Sequence, residues 1–203
     1  CFHSEFDRSE NVSLLYKLNR FGLSPEDLHK EFDKTLYKIK NDLRIYKNLN
    51  DYKKEAVITV KIPEEDMNSI HQNCDCFVLP SHGEAWSIPA IDAMGFGSTP
   101  ICSNFGGPAE FIDEGNTLTG SLVDGVYSCC KCSNSAFEDM FTGREYWFTP
   151  CEKQVREAMR GYYESFKSDP VEHRKKAIEA GLKAVEKFSY KNIGQQMLET
   201  LNA

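Results

Sequence analysis

The sequence predicts an α/β fold: a parallel sheet with helices on both faces, closed by a helical C-terminal extension. Three observations carry this. Short apolar or β-branched runs alternate with helix-period segments from residue 11 to residue 123, the order that βαβ units produce. The strand runs are apolar on both sides, as strands buried in a parallel sheet are. From residue 149 onward every periodic segment has helical spacing.

Each element has its own signal. Residues 11–18 read as a strand. Ser24-Pro25-Glu26-Asp27 starts a helix, with a Ser cap, Pro in the first turn and an acid three residues after the cap. Leu28, Phe32, Leu36, Ile39, Leu43 and Tyr46 then mark one face of a long helix. Ala56–Val60 is a β-branched strand run. Residues 63–73 read as a helix with Met67 and Ile70 inward. Cys76–Leu79 is a strand, residues 87–96 a helix, Pro100–Ser103 a strand, Pro108–Ile112 a short helix and Ser121–Val123 a strand. Residues 124–148 read as an irregular insertion, with the aromatics of 146–148 as core. Thr149-Pro-Cys-Glu152 looks like a further cap, with Val155, Met159, Tyr162 and Phe166 inward. Asp169-Pro170 starts a helix with Ala177, Ile178, Leu182 and Val185 on its inner face. Ser189 starts the last one, with Ile193, Met197 and Leu201.

Composition limits the function. The 203 residues are 40% hydrophobic and 27% charged, enough to bury one sizeable core. The whole is read as a single domain over 1–203, with residues 149–203 as its C-terminal helices. Net charge is −7, which argues against nucleic acid as a partner, since phosphate binding asks for a basic face. No apolar run approaches the roughly 18 residues of a membrane span. Cys76 and Cys102 lie in apolar strand runs, where cysteine acts as a small hydrophobe. A reduced, cytoplasmic setting is expected.

The densest chemistry lies in residues 77–112. A strand ends at Leu79-Pro80-Ser81, a turn follows at His82-Gly83-Glu84-Ala85-Trp86, and Ser87 is placed to cap a helix with Pro89 in its first turn. Ligands of open α/β sheets bind beyond the carboxyl ends of the strands. A helix start there offers free N–H groups and a positive dipole end to an anion, and Gly83 lets backbone approach the ligand. Glu84 and Asp92, seven residues apart, offer carboxylates able to accept hydrogen bonds from a diol. Each acid taken alone also fits a plain dipole partner.

The segment from Pro80 through Glu84 and Asp92 to Glu110 resembles the Glu-x7-Glu region of retaining glycosyltransferases of family 4. These are GT-B enzymes built from two Rossmann-like halves. The resemblance implies that this chain is the Rossmann-like, donor-binding half, N-terminally truncated, with the acceptor-binding half upstream. It implies roles for individual residues. Glu84 lies near the transferred sugar, and Asp92, where the family usually has Glu, binds the ribose hydroxyls. Backbone N–H groups of Trp86, Ser87 and Ile88 hold the diphosphate or sugar hydroxyls, and Lys17 contacts the diphosphate. The base stacks near the Lys61-Ile62-Pro63 turn. The implied reaction moves a sugar from a UDP- or GDP-linked donor to an acceptor sugar or glycoconjugate with retention. It needs no metal or other cofactor. The implied location is cytoplasmic or peripheral at the inner membrane surface. Two other readings fit the same loop: a non-catalytic nucleotide-sugar-binding module, and a nucleotide-sugar epimerase of GT-B shape.

Other features stay open. His82 is read either as a contact to sugar or diphosphate or as a satisfied turn histidine. Cys129, Cys130, Cys132 and Cys151 lack the spacing of a standard zinc site but offer thiols. Lys38, Lys40 and Lys47 are read as a solvated helix face.

Overall fold

The computed structural model describes residues 1–112, 122–130 and 143–203. The protein divides into two units, Cys1–Met67 and Asn68–Ala203. The first holds α1 (Phe2–Glu5), β1 (Leu14–Lys17), α2 (Pro25–Leu43), β2 (Glu55–Ile58) and the start of α3 (Glu64–Asn73). β1 and β2 pair in parallel, with Lys17 opposite Ile58. α2 begins where its cap signals place it: the Asp27 N–H donates to Ser24 Oγ at 3.1 Å and Pro25 takes the first position. It ends at Arg44, whose backbone is left-handed (φ 53°). The expected inner face needs two changes, the first being that Tyr46 lies beyond the end of α2. Ile39 is exposed, and the half-buried neighbour is Lys40, whose Nζ lies 2.9 Å from Glu55 Oε2. His3 meets the other oxygen of Glu55. A buried carboxylate needs such partners, so Lys40 turns inward instead of joining a solvated row.

The second unit contains β3 (Cys76–Leu79), α4 (Ile88–Gly95), β4 (Thr99–Ser103), α5 (Pro108–Phe111) and β5 (Leu122–Val123). The strands pair in parallel in the order β3-β4-β5. All five residues of β4 are buried, as a central parallel strand requires. α4 packs on β3 and β4, and α5 on β4. Ala90, Met94, Cys102, Phe111, Ile112 and Ala184 form the core, flanked by Phe77, Leu79, Trp86 and Phe188.

Residues 124–148 are not simply irregular. β6 (Gly125–Cys129) pairs antiparallel with β7 (Tyr146–Pro150), Tyr127 opposite Phe148. The aromatics divide accordingly: Phe148 is buried and Tyr146 exposed. Thr149 and Pro150 close that hairpin, so the expected Thr149 cap gives way to Cys151, which makes no side-chain cap bond to α6 (Glu152–Ser168). α7 (Pro170–Lys187) is capped as expected by Asp169, whose Oδ1 accepts from the Glu172 N–H at 3.0 Å. Its buried stripe is His173, Ala177, Gly181 and Ala184, with Ile178, Leu182 and Val185 exposed. The cause is close packing on α4: a Cβ on Gly181 would stand 1.7 Å from the Met94 carbonyl oxygen. Only small residues allow that approach. α8 (Tyr190–Leu201) is capped by Ser189 but leaves Met197 and Leu201 exposed. No described helix is long and apolar enough to cross a membrane.

Candidate donor site

The loop between β3 and α4 is held through its carbonyl groups. Ser103 Oγ, at the end of β4, donates to the Ser81 carbonyl at 2.6 Å. The Phe148 N–H donates to the His82 carbonyl at 3.2 Å, and the Gly107 N–H to the Glu84 carbonyl at 3.2 Å. The Ser81, His82 and Glu84 carbonyls are thus satisfied by protein donors. The donors of the turn differ: among the described residues, the N–H groups of Gly83, Glu84, Ala85, Trp86, Ser87 and Ile88 reach no protein acceptor. A run of uncommitted N–H groups at a helix start is suited to an anion.

Two glycines make this possible from behind. A Cβ on Gly106, itself at φ 69°, would lie 2.3 Å from the Glu84 carbonyl oxygen, and one on Gly107 would lie 2.2 Å from Trp86 Cα. The strand-to-helix turn before α5 therefore touches the loop directly, backbone against backbone.

Ser87 departs from the sequence expectation. It precedes α4 but adopts a left-handed conformation (φ 67°, ψ 64°) and makes no side-chain cap bond. Its residue is buried and its Oγ has no hydrogen-bond partner. A capping Ser needs extended backbone to aim its oxygen at the first turn, and this geometry denies it. A left-handed non-glycine residue with an orphaned hydroxyl is a local cost of the type found at functional sites.

The predicted side chains fall in different surroundings. Trp86 packs its ring on Phe111 and Phe188, with centroids at 5.3 and 5.0 Å, so only its backbone is available to a ligand. Glu84 is half-buried beside Cys102. Burial and, second, the Glu84 carboxylate push the Cys102 thiol up to about 12, leaving it a neutral hydrophobe. Asp92 is exposed on α4 and lies near His71. Burial holds His71 below the usual imidazole range, and Asp92 partly opposes this. His71 stacks on Phe96 with centroids 6.0 Å apart. Ile88 is exposed at the start of α4. Lys17 and Ile62 belong to the first unit: Lys17 Nζ donates to the Leu18 carbonyl at 3.3 Å, and Ile62 is half-buried before α3.

His82 is the residue whose setting sequence reasoning left open. Its Nδ1 lies 2.8 Å from the Phe148 carbonyl oxygen, and its ring stacks on Trp147 at 4.3 Å and 7°. Sixty-six positions separate His82 from Phe148, which is why no local pattern revealed the pair. The described cysteines are all free thiols. Cys132 lies outside the described residues, and among the described residues no group of three or more His, Cys, Asp or Glu side chains is arranged to hold a metal ion.

Comparison with known proteins places this geometry. Residues 39–128 match the family described as glycosyl transferases group 1. The group 1 segment contains the whole loop from His82 to Asp92 and leaves Lys17 outside. Within curated proteins, the chain is 33% identical over 63 residues to D-inositol 3-phosphate glycosyltransferase of Corynebacterium kroppenstedtii, covering 31% of the chain and 14% of that protein. It is 27% identical over 119 residues to glycogen synthase 2 of Geobacter metallireducens, covering 52% and 24%. The matches thus span less than a quarter of each relative's length. Among solved structures, HepE of Anabaena in complex with UDP-glucose superposes with a TM-score of 0.56 at 18% identity, covering 94% of this chain and 41% of HepE. That likeness gives the fold: one half of the GT-B architecture, with a helical C-terminal part.

Proposed function

We propose that this chain is the donor-binding half of a retaining glycosyltransferase of family 4, using a nucleotide-diphosphate sugar. The row of uncommitted N–H groups from Gly83 to Ile88, set at the start of α4, is the observation that carries this reading. The match to glycosyl transferases group 1 and the UDP-glucose held by HepE support it. The N–H groups of Trp86, Ser87 and Ile88 face the diphosphate, whose negative charge grows as the bond to the anomeric carbon breaks. Fixed donors and a helix dipole stabilise such charge without reorganising, an effect that often dominates a barrier. Lys17 adds an ammonium to the same diphosphate. Glu84 serves the transferred sugar, Asp92 the ribose hydroxyls, and the turn at Ile62 the base. The acceptor, a sugar or glycoconjugate, is held by a second half. No metal is required in this scheme. A cytoplasmic setting, with the enzyme in solution or peripheral at the inner membrane surface, belongs to the same proposal.

The test is a titration of the full-length protein with UDP, GDP and their sugars, followed by nucleotide release with and without acceptors. Saturable binding is expected, with release that depends on acceptor. Asp92→Ala is expected to abolish nucleotide binding, whereas Glu84→Gln keeps binding and slows transfer by about a hundred-fold or more. Absence of binding at millimolar nucleotide sinks the proposal. Conversion of the sugar nucleotide with no acceptor present replaces it with an epimerase, and binding without any turnover replaces it with a non-catalytic module.

A further inference from the structure

The proposed donor loop is gripped from outside the sheet by a hairpin that no sequence motif marked. Phe148 brackets His82 with both its backbone groups: its N–H donates to the His82 carbonyl at 3.2 Å, and its carbonyl faces His82 Nδ1 at 2.8 Å. Trp147 covers the imidazole face at 4.3 Å, nearly parallel. A carbonyl oxygen only accepts, so Nδ1 carries a proton and donates it to Phe148. The hairpin is itself anchored. Phe148 is buried and stacks on Phe105 at 5.5 Å. Phe105 directly precedes the Gly106-Gly107 pair that supports Glu84 from the other side. Gly83 therefore lies between two pinned residues, His82 held by β7 and Glu84 held by Gly107.

We propose that the β6–β7 hairpin is the positioning element of the donor loop. Trp147 and Phe148 act through His82, a positioning residue, to fix where Gly83 and Glu84 meet the transferred sugar. This rests on the donor-site reading above. The sugar end of the donor depends on the hairpin, while the nucleotide end, held by the later loop residues Trp86 to Ile88 and by Asp92 in the proposed site, does not. Misplacement of a reacting group by a fraction of an ångström is costly in rate while leaving remote binding intact.

The experiment uses the full-length protein with whichever UDP- or GDP-sugar the wild type consumes. Trp147→Ala is expected to lower kcat by about ten-fold to a hundred-fold, with affinity for the free nucleoside diphosphate unchanged. Trp147→Phe, which keeps a ring to stack on His82, is expected to restore most of the rate. Val126→Ser, on the exposed side of the same hairpin, is expected to match wild type. Independently of turnover, nitrogen NMR of the imidazole is expected to show the His82 proton on Nδ1 in wild type and shared with Nε2 in Trp147→Ala. Wild-type kcat in Trp147→Ala overturns the inference. So does an equal loss of transfer and nucleotide binding that Phe does not rescue, or a wild-type His82 protonated on Nε2 alone. A wild type that binds no nucleotide but shows the Nδ1 proton overturns the donor-site reading, and the role of the hairpin falls with it.

Discussion

Ser87 combines two unfavourable features at one position. Left-handed backbone costs a non-glycine residue about 1–2 kcal/mol, and a buried hydroxyl without a partner about 1–3 kcal/mol. Glycine removes both, against about 0.5–1 kcal/mol of extra chain entropy on folding. Ser87→Gly is therefore expected to raise the melting temperature, by about 2–4 °C for each kcal/mol gained, and to weaken binding of the sugar nucleotide. Differential scanning calorimetry paired with a binding titration checks both. A variant that gains stability and loses no affinity shows that the hydroxyl serves nothing. At this scale the sequence was a partial guide. Ser before Ile-Pro at a helix start is the usual cap pattern, and the residue does precede α4. The backbone angle that cancels the cap has no local sequence signal, and the loop just before it lies against Gly106 and Gly107, about twenty positions downstream.

At the scale of elements, local signals fared best where the partner was local. Ser24, Asp169 and Ser189 all cap the helices they announce, and Cys76–Leu79 is a strand with the boundaries its apolar run implies. Errors arose where a distant partner overrode the pattern. α7 buries its small residues in preference to its large ones because α4 lies against it at Gly181. No local pattern marks the β6–β7 hairpin, because its strands are separated in sequence and only partly buried. The α4–α7 contact gives a sharp prediction. In Gly181→Ala the new methyl meets the Met94 carbonyl, a backbone group unable to rotate away. The expected result is a loss of about 1–3 kcal/mol, read from urea denaturation. Since α4 carries the donor loop at its start, nucleotide affinity is expected to fall with it. Unchanged stability refutes the close-packed contact.

Over the whole molecule, three histidines are buried: His3 in the first unit, His71 and His173 in the second. Burial holds each below its ordinary value of 6.5, despite the opposing pull of Glu55, Asp92 and Asp75 respectively. The unfolded chain therefore binds more protons than the folded one just below pH 6.5. Stability is complete above that value and declines as pH falls through it toward the lower folded values. Thermal melts stepped downward from about pH 7.5 to about pH 5 are expected to show a falling transition, flatter in a His71→Gln, His173→Gln double variant. A transition that holds level across that span contradicts the neutral burial of these rings.

The hairpin and the loop have one more consequence, an optical one. The chain holds two tryptophans. Trp86 lies within the donor loop, and Trp147 lies flat on its histidine. Every indole photon this chain emits thus originates next to the loop. A change in tryptophan emission, excited beyond the absorption of the nine tyrosines, on adding a nucleotide sugar reports on those few residues, and the site needs no added label to be watched.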